Sequence, residues 1–122
     1  MPMYEGGDFE PPAPVARVAV CGPTGQIRSD VPLLIDTGAD VSAIPRSVAN
    51  EVGAEIRPST VAIRSYDGSE TICDLATLSV ELLEYRFQGS FVVADSDYGV
   101  VGRNILNLLM VNLNGPRQVW SA

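Results

Sequence analysis

Leu33, Leu34 and Ile35 run without a break into Asp36, and Thr37 and Gly38 follow at once. An apolar run that ends in an acid restricts the chain more than any other feature, because a carboxylate at the end of a buried strand is costly unless something satisfies it. Either the strand stops early and Asp36 opens a turn of the Asx kind, or the acid is placed there to do chemistry. A second acid, Asp40, lies four residues on.

The rest of the chain is built to make short strands. Residues 15–20 form a β-rich run closed by Gly22-Pro23-Thr24-Gly25, a turn signal, and a second strand is expected from Ile27 to Ile35. A short strand over 42–44 leads to Pro45, which suits the first turn of a helix running to about Val52, with Gly53 as its stop. From Val61 the pattern is strongly β, with two runs joined at Asp67-Gly68, the best hairpin signal in the chain. Leu78, Val80 and Leu82 alternate onto one face, and residues 86–94 supply a further strand after a turn near Glu84-Tyr85. Residues 95–99 read as loop, Ile105, Leu108 and Leu109 have the spacing of a short helix, and a last hairpin is expected around Asn114-Gly115. Residues 1–14, with Gly6, Gly7, Pro11, Pro12 and Pro14, read as an extended Pro/Gly-rich arm, leaving 15–122 as one domain. The fold class is therefore mainly β with one or two short helices, most simply a small closed barrel.

Charge and composition remove whole classes of function. With 8 basic and 15 acidic residues the formal charge is −7, which argues against a nucleic-acid or anionic-membrane partner, since phosphate binding needs a basic surface. No apolar run approaches the roughly 20 residues of a spanning helix, and the start lacks the basic and apolar regions of a signal peptide. A cytoplasmic chain is the expectation. Histidine is absent and only two cysteines, Cys21 and Cys73, occur, so Cys/His zinc sites and His-assisted nucleophiles are not expected. Both cysteines read as reduced thiols. Glu84, Asp95 and Asp97 lack the spacing of a cation loop and read as solvated acids. Neither a metal nor another cofactor is expected, and acid–base work near neutral pH falls to carboxylates, Tyr or Cys.

Leu34-Ile35-Asp36-Thr37-Gly38-Ala39-Asp40 resembles the active-site loop of the retropepsin-like aspartic proteases, the family of the retroviral proteases. A second segment, Val100-Val101-Gly102-Arg103-Asn104-Ile105-Leu106, resembles the family's apolar-apolar-Gly-Arg-Asp/Asn motif, which lies beneath that loop and opens the C-terminal helix. Between the two, the hairpin at Tyr66-Asp67-Gly68-Ser69 falls where the family keeps its flap. The resemblance spans 15–120, with its landmarks in order. It implies Asp36 as the catalytic acid, Thr37, Gly38 and Ala39 as its loop, and Gly102, Arg103 and Asn104 as supporting residues. It further implies Asp40, Tyr66, Asp67, Gly68 and Ser69 as substrate contacts, with Asp40 and Arg103 as a partly buried ion pair.

The chemistry such a family performs needs two carboxylates. Held about 3 Å apart they share one proton, so that one takes a proton from water while the other hydrogen-bonds the scissile carbonyl. Asp-Thr-Gly occurs once in this chain, and Asp-Ser-Gly does not occur. An enzyme of this class would have to be a twofold homodimer with Asp36 of each copy at the axis, acting on a peptide or protein substrate. Two other readings stand beside it: a non-catalytic dimerisation or peptide-binding module on the same fold, and an enzyme acting chiefly on its own precursor at the Pro-rich arm. Asp40 also reads as a plain loop acid, Arg103 as a surface residue at a helix start, and Tyr66 as an ordinary hairpin side chain covering the sheet.

Overall fold

The computed structural model describes residues 2–64 and 67–122. Its strands are β1 (Tyr4–Glu5), β2 (Ala13–Cys21), β3 (Ile27–Ile35), β4 (Ala43–Pro45), β5 (Ile56–Arg64), β6 (Glu70–Leu82), β7 (Tyr85–Ala94), β8 (Gly99–Val101), β9 (Asn112–Asn114) and β10 (Val119–Ser121). The helices are α1 (Arg46–Glu51), between β4 and β5, and α2 (Arg103–Leu106), between β8 and β9.

The large sheet runs β1-β2-β3-β8-β4-β7-β6-β5, and a further pairing of β2 with β6 joins it back on itself. Six strands thus form a ring, β2-β3-β8-β4-β7-β6, while β1 and β5 remain at the two ends of the strand order. Val20 meets Val80 at the closing seam, with Cys21 opposite Ser79. Alternation supplies the interior: Val18 and Val20, Val31 and Leu33, and Leu78, Val80 and Leu82 are all buried. Each such side chain fully withdrawn from water contributes about 1.5–3 kcal/mol. Helix α1 closes one end of the ring with Val48, Ala49 and Val52, and Trp120 closes another side, its indole N–H donating to the Val15 carbonyl at 3.1 Å.

The expected hairpin forms between β5 and β6, paired from Arg64–Glu70 down to Ile56–Ala76. Its first strand begins at Ile56, earlier than the pattern suggests, because Pro58 interrupts the alternation at a register shift. Gly68 sits in the turn with φ +89°, the left-handed region where a side chain is strained. The short helix near Ile105 ends at Leu106, and Leu108 is exposed rather than packed. The arm is not loose chain. Ala13 and Pro14 open β2 and pair with Glu5 and Tyr4, while Tyr4 and Trp120 donate backbone N–H groups to Gln118 and Pro2 carbonyls. Both cysteines are free thiols, Cys21 buried and Cys73 half-buried. Among the described residues, no helix is long and apolar enough to cross a membrane.

Candidate active site

Asp36 stands where the chain leaves β3. Val31, Leu33 and Ile35 point into the core, so Pro32, Leu34 and Asp36 share the outer face and are half-buried. The strand end is held from below, the Asp36 N–H donating to the Val101 carbonyl at 3.1 Å. The loop then turns tightly: the Ala39 N–H donates to the Asp36 carbonyl at 3.2 Å, and the Gly38 N–H donates to Asp36 Oδ1 at 2.9 Å. The acid is therefore both a turn former and an oriented carboxylate. A Cβ on Gly38 would stand 3.1 Å from Asp36 Oδ1, so the absence of a side chain there keeps the carboxylate uncrowded. Thr37 is exposed at the loop tip.

The second motif supports this loop from below. β8 lies parallel to β3, Val100 beside Leu34 and Val101 beside Ile35. At Gly102 the chain passes so close to the loop that a Cβ would lie 2.4 Å from the Val41 carbonyl oxygen. The Arg103 backbone N–H donates to the Ala39 carbonyl at 2.8 Å, and its guanidinium reaches the Thr37 carbonyl, also at 2.8 Å. The same guanidinium pairs with Asp40. That pair forms as expected but not in the expected setting: the Asp40 side chain is 81% exposed, so burial does not enforce it. Arg103 thus braces the loop chiefly through the Thr37 carbonyl, and the ion pair adds little in water.

One residue of this site had no signal in its own residue type. Ser42 is buried, its hydroxyl donating to Asn104 Oδ1 at 2.8 Å and accepting the Gly102 N–H at 3.0 Å. The sequence places Ser42 in the short strand over 42–44, whereas the observed strand begins at Ala43; only the approach of β8 shows why a hydroxyl is needed there. Asp95 is exposed, as expected, and it also accepts from Arg46 at 2.6 Å, while Arg46 reaches Asp74 at 3.0 Å. The Arg46 guanidinium holds the Asp95 carboxyl below the usual carboxylate range.

A cleft of about 530 Å³ opens between this loop and the β5–β6 hairpin. Ala39, Asp40 and Val41 line one side, Val61 and Ile63 the other, and Ala43 and Val100 its floor. The hairpin tip curls on itself, Asp67 Oδ1 accepting from both the hydroxyl and the N–H of Ser69, which lower the Asp67 carboxyl from its ordinary value. Tyr66, which the sequence placed at this tip, lies outside the described residues. Asp36, Gly38, Asp40 and Arg103 are thus brought to one loop system, and the Asp67–Ser69 turn belongs to the hairpin across the cleft.

A closed β-ring with an Asp-Thr-Gly loop resting on a Gly-Arg-Asn segment, and a hairpin facing it, defines a single-lobe aspartic protease fold. A family model described as "gag-polyprotein putative aspartyl protease" matches residues 26–108, and the chain belongs to that family. Among solved structures, EIAV protease complexed with the inhibitor HBY-793 superposes with a TM-score of 0.62. The match covers 84% of this chain and 90% of that one at 18% sequence identity, a likeness of fold.

Proposed function

We propose that this chain is a homodimeric aspartic endopeptidase that hydrolyses peptide bonds by a water activated between two Asp36 carboxylates, one from each copy. The observation that carries the reading is an oriented, half-buried Asp36 at the start of the loop whose residues 38–41 line a cleft that can receive extended chain. Only one Asp-Thr-Gly loop is encoded, so the second carboxylate must come from a second copy. Substrate would lie between the Asp36 loop and the hairpin, adding as a strand to its backbone. In this reading one Asp36 takes a proton from water while its mate, protonated, donates to the scissile carbonyl; attack gives a tetrahedral diol, whose collapse returns the proton to the leaving amine.

Two features support a surface for the second copy. Met110 is 90% exposed and Leu108 70%, beside the half-exposed Leu113 on β9. That strand pairs with β10 on one edge, and its other edge can accept a mate. A peptide library or casein digested by wild type and by Asp36→Asn tests the function. Cleavage by wild type, best in acidic to mildly acidic buffer and abolished by the substitution, is expected. Equal cleavage by the two proteins overturns the reading, and a dimer that binds peptide without cutting it marks a binding module instead.

A further inference from the structure

The β-ring is not sealed along the whole of β2. On the edge facing away from β3, β2 pairs with β1 at Ala13 and Pro14 and with β6 from Ala19 to Cys21. Among the described residues no strand pairs with residues 15–18 on that edge, which leaves a gap of about 16 Å from Pro14 to Ala19. The Val15 carbonyl turns into this gap, where it accepts the indole N–H of Trp120. Backbone groups on one edge of a strand belong to alternate residues, so the Arg17 N–H and carbonyl face the same gap.

A cavity of about 430 Å³ lies over it, within the roughly 300–1,000 Å³ of ligand sites. Met3, Val15, Ala16, Leu82, Leu83 and Trp120 line the cavity, and the Glu5–Arg17 ion pair stands among them. A second cavity of about 360 Å³ shares Pro2 and Leu83 with the first and continues past Glu84 and Tyr85. Neither shares a lining residue with the cleft beside the Asp36 loop.

The rim of this groove is apolar and open to water, Met3 being 61% exposed and Leu83 49%. Leu83 breaks two rules at once. It opens the two-residue turn between the paired Leu82 and Tyr85 with φ +53°, a position that Gly, Asn or Asp fills with less strain. It also keeps half its surface in water where the two cavities meet. A side chain that stability disfavours twice over points to a contact made with something else.

Charge gives the sign of that partner. Arg17 has Glu5 at 2.5 Å and Asp30 at 3.7 Å, and Glu84 lines the second cavity, so carboxylates outnumber the one guanidinium. The strands set its length. A segment entering the gap meets β1 at one end and β6 at the other, so only a short stretch can pair with Arg17 while its flanks rise over Met3 and Leu83.

We infer that this groove is a second peptide site, which takes a short extended segment of a partner polypeptide. One large apolar side chain of that segment seats against Leu83 over Trp120, and a neighbouring lysine or arginine lies beside Glu5. The Arg17 N–H and carbonyl pair with its backbone as an open strand edge does. The site stands apart from Asp36 and is measured without cleavage.

Trp120 is the one tryptophan of the chain, so its fluorescence reports entry into the cavity. The probes are the acetylated peptide amides Lys-Leu-Leu-Arg, Glu-Leu-Leu-Glu and Lys-Ser-Ser-Arg, titrated into Asp36→Asn so that none is cut. Lys-Leu-Leu-Arg should change the emission saturably. The acidic peptide should bind about threefold more weakly or worse, with the difference shrinking at high salt, and the serine peptide about tenfold more weakly or worse. Leu83→Asn puts a residue suited to the turn in place of the anchor; it should hold or raise Tm while weakening Lys-Leu-Leu-Arg by about tenfold. Equal binding of the three peptides, or no saturable change with any of them, overturns the site. So does N-acetyl-leucinamide binding as tightly as the tetrapeptide, which marks a small-molecule pocket. Loss of binding with Ile63→Asp but not with Leu83→Asn also overturns it, by placing the peptide in the cleft beside Asp36.

Discussion

The Ser42 hydroxyl donates to Asn104 Oδ1 at 2.8 Å, joining the chain just beyond the Asp36 loop to the helix that follows Gly102. The same oxygen accepts the buried Gly102 N–H at 3.0 Å. A single hydroxyl therefore satisfies two polar groups at the crossing of the two motifs. Removing it strands a buried donor, which costs about 1–3 kcal/mol. Ser42→Ala should lower the unfolding free energy by that amount, read as a lower denaturant midpoint at an unchanged m-value, and an unchanged midpoint would remove the hydroxyl from the account of the loop.

Gly102 and Gly115 make a matched pair for a steric test. A Cβ at Gly102 would lie 2.4 Å from the Val41 oxygen and 3.0 Å from the Ala39 oxygen, whereas at Gly115 it meets nothing within 4 Å. Backbone oxygens cannot step aside as a flexible side chain can. Gly102→Ala should thus displace the Asp36 loop and destabilise the protein by about 3 kcal/mol or more, while Gly115→Ala should stay within about 0.5 kcal/mol. Thermal melts of the two variants decide it; equal Tm values would contradict the close crossing.

The exposed side chains Met110 and Leu113 give the proposed homodimer a handle that leaves each protomer's core alone. Placing charge on both, as Met110→Asp with Leu113→Asp, should weaken self-association by roughly 30-fold, about 2 kcal/mol. Sedimentation equilibrium reads the effect directly, and activity should then rise more steeply than linearly with enzyme concentration. Identical sedimentation of variant and wild type would place the interface elsewhere.

Arg17 binds Glu5 in the arm and, by that hydrogen bond, holds the Glu5 carboxyl below its ordinary value of 4.5. A carboxyl lowered in the folded state is the depressed case, so its stabilisation is fully present above the unfolded value and drains away as pH falls through the folded one. The pair is partly exposed, and its worth is about 1 kcal/mol or less. Glu5→Gln should therefore be slightly less stable than wild type at pH 7, and the gap should narrow as pH falls below 4.5. A gap that persists or widens in acid would be the wrong sign.

Much of the architecture was legible because it rests on local rules. A strand is expected from Ile27 to Ile35, and β3 has those bounds, with inside–outside alternation from Val31 to Ile35. Asp67-Gly68 marks a turn by the conformation that Gly permits, and the hairpin is there. Three residues are too few for a period, which is why β8 went unread although its residues were singled out as a motif. Leu108 matched a helical spacing, yet the helix ends at Leu106 and leaves it exposed. Spacing shows which residues could share a face, not whether anything covers that face.

By itself, the sequence determined that an apolar strand delivers one acid into a glycine turn, and that a Gly-Arg-Asn segment and a turn-bearing hairpin exist elsewhere in the chain. These are properties of neighbouring residues, and dihedral preference and alternation carry them. Only the tertiary structure decided that Ser42 would serve two groups of the distant motif, that Arg103 would brace a carbonyl, that Arg46 would hold two acids, and that Trp120 would reach the Val15 carbonyl. Each depends on which strands become neighbours when the ring closes, and that choice belongs to the packing of the whole core rather than to any local stretch.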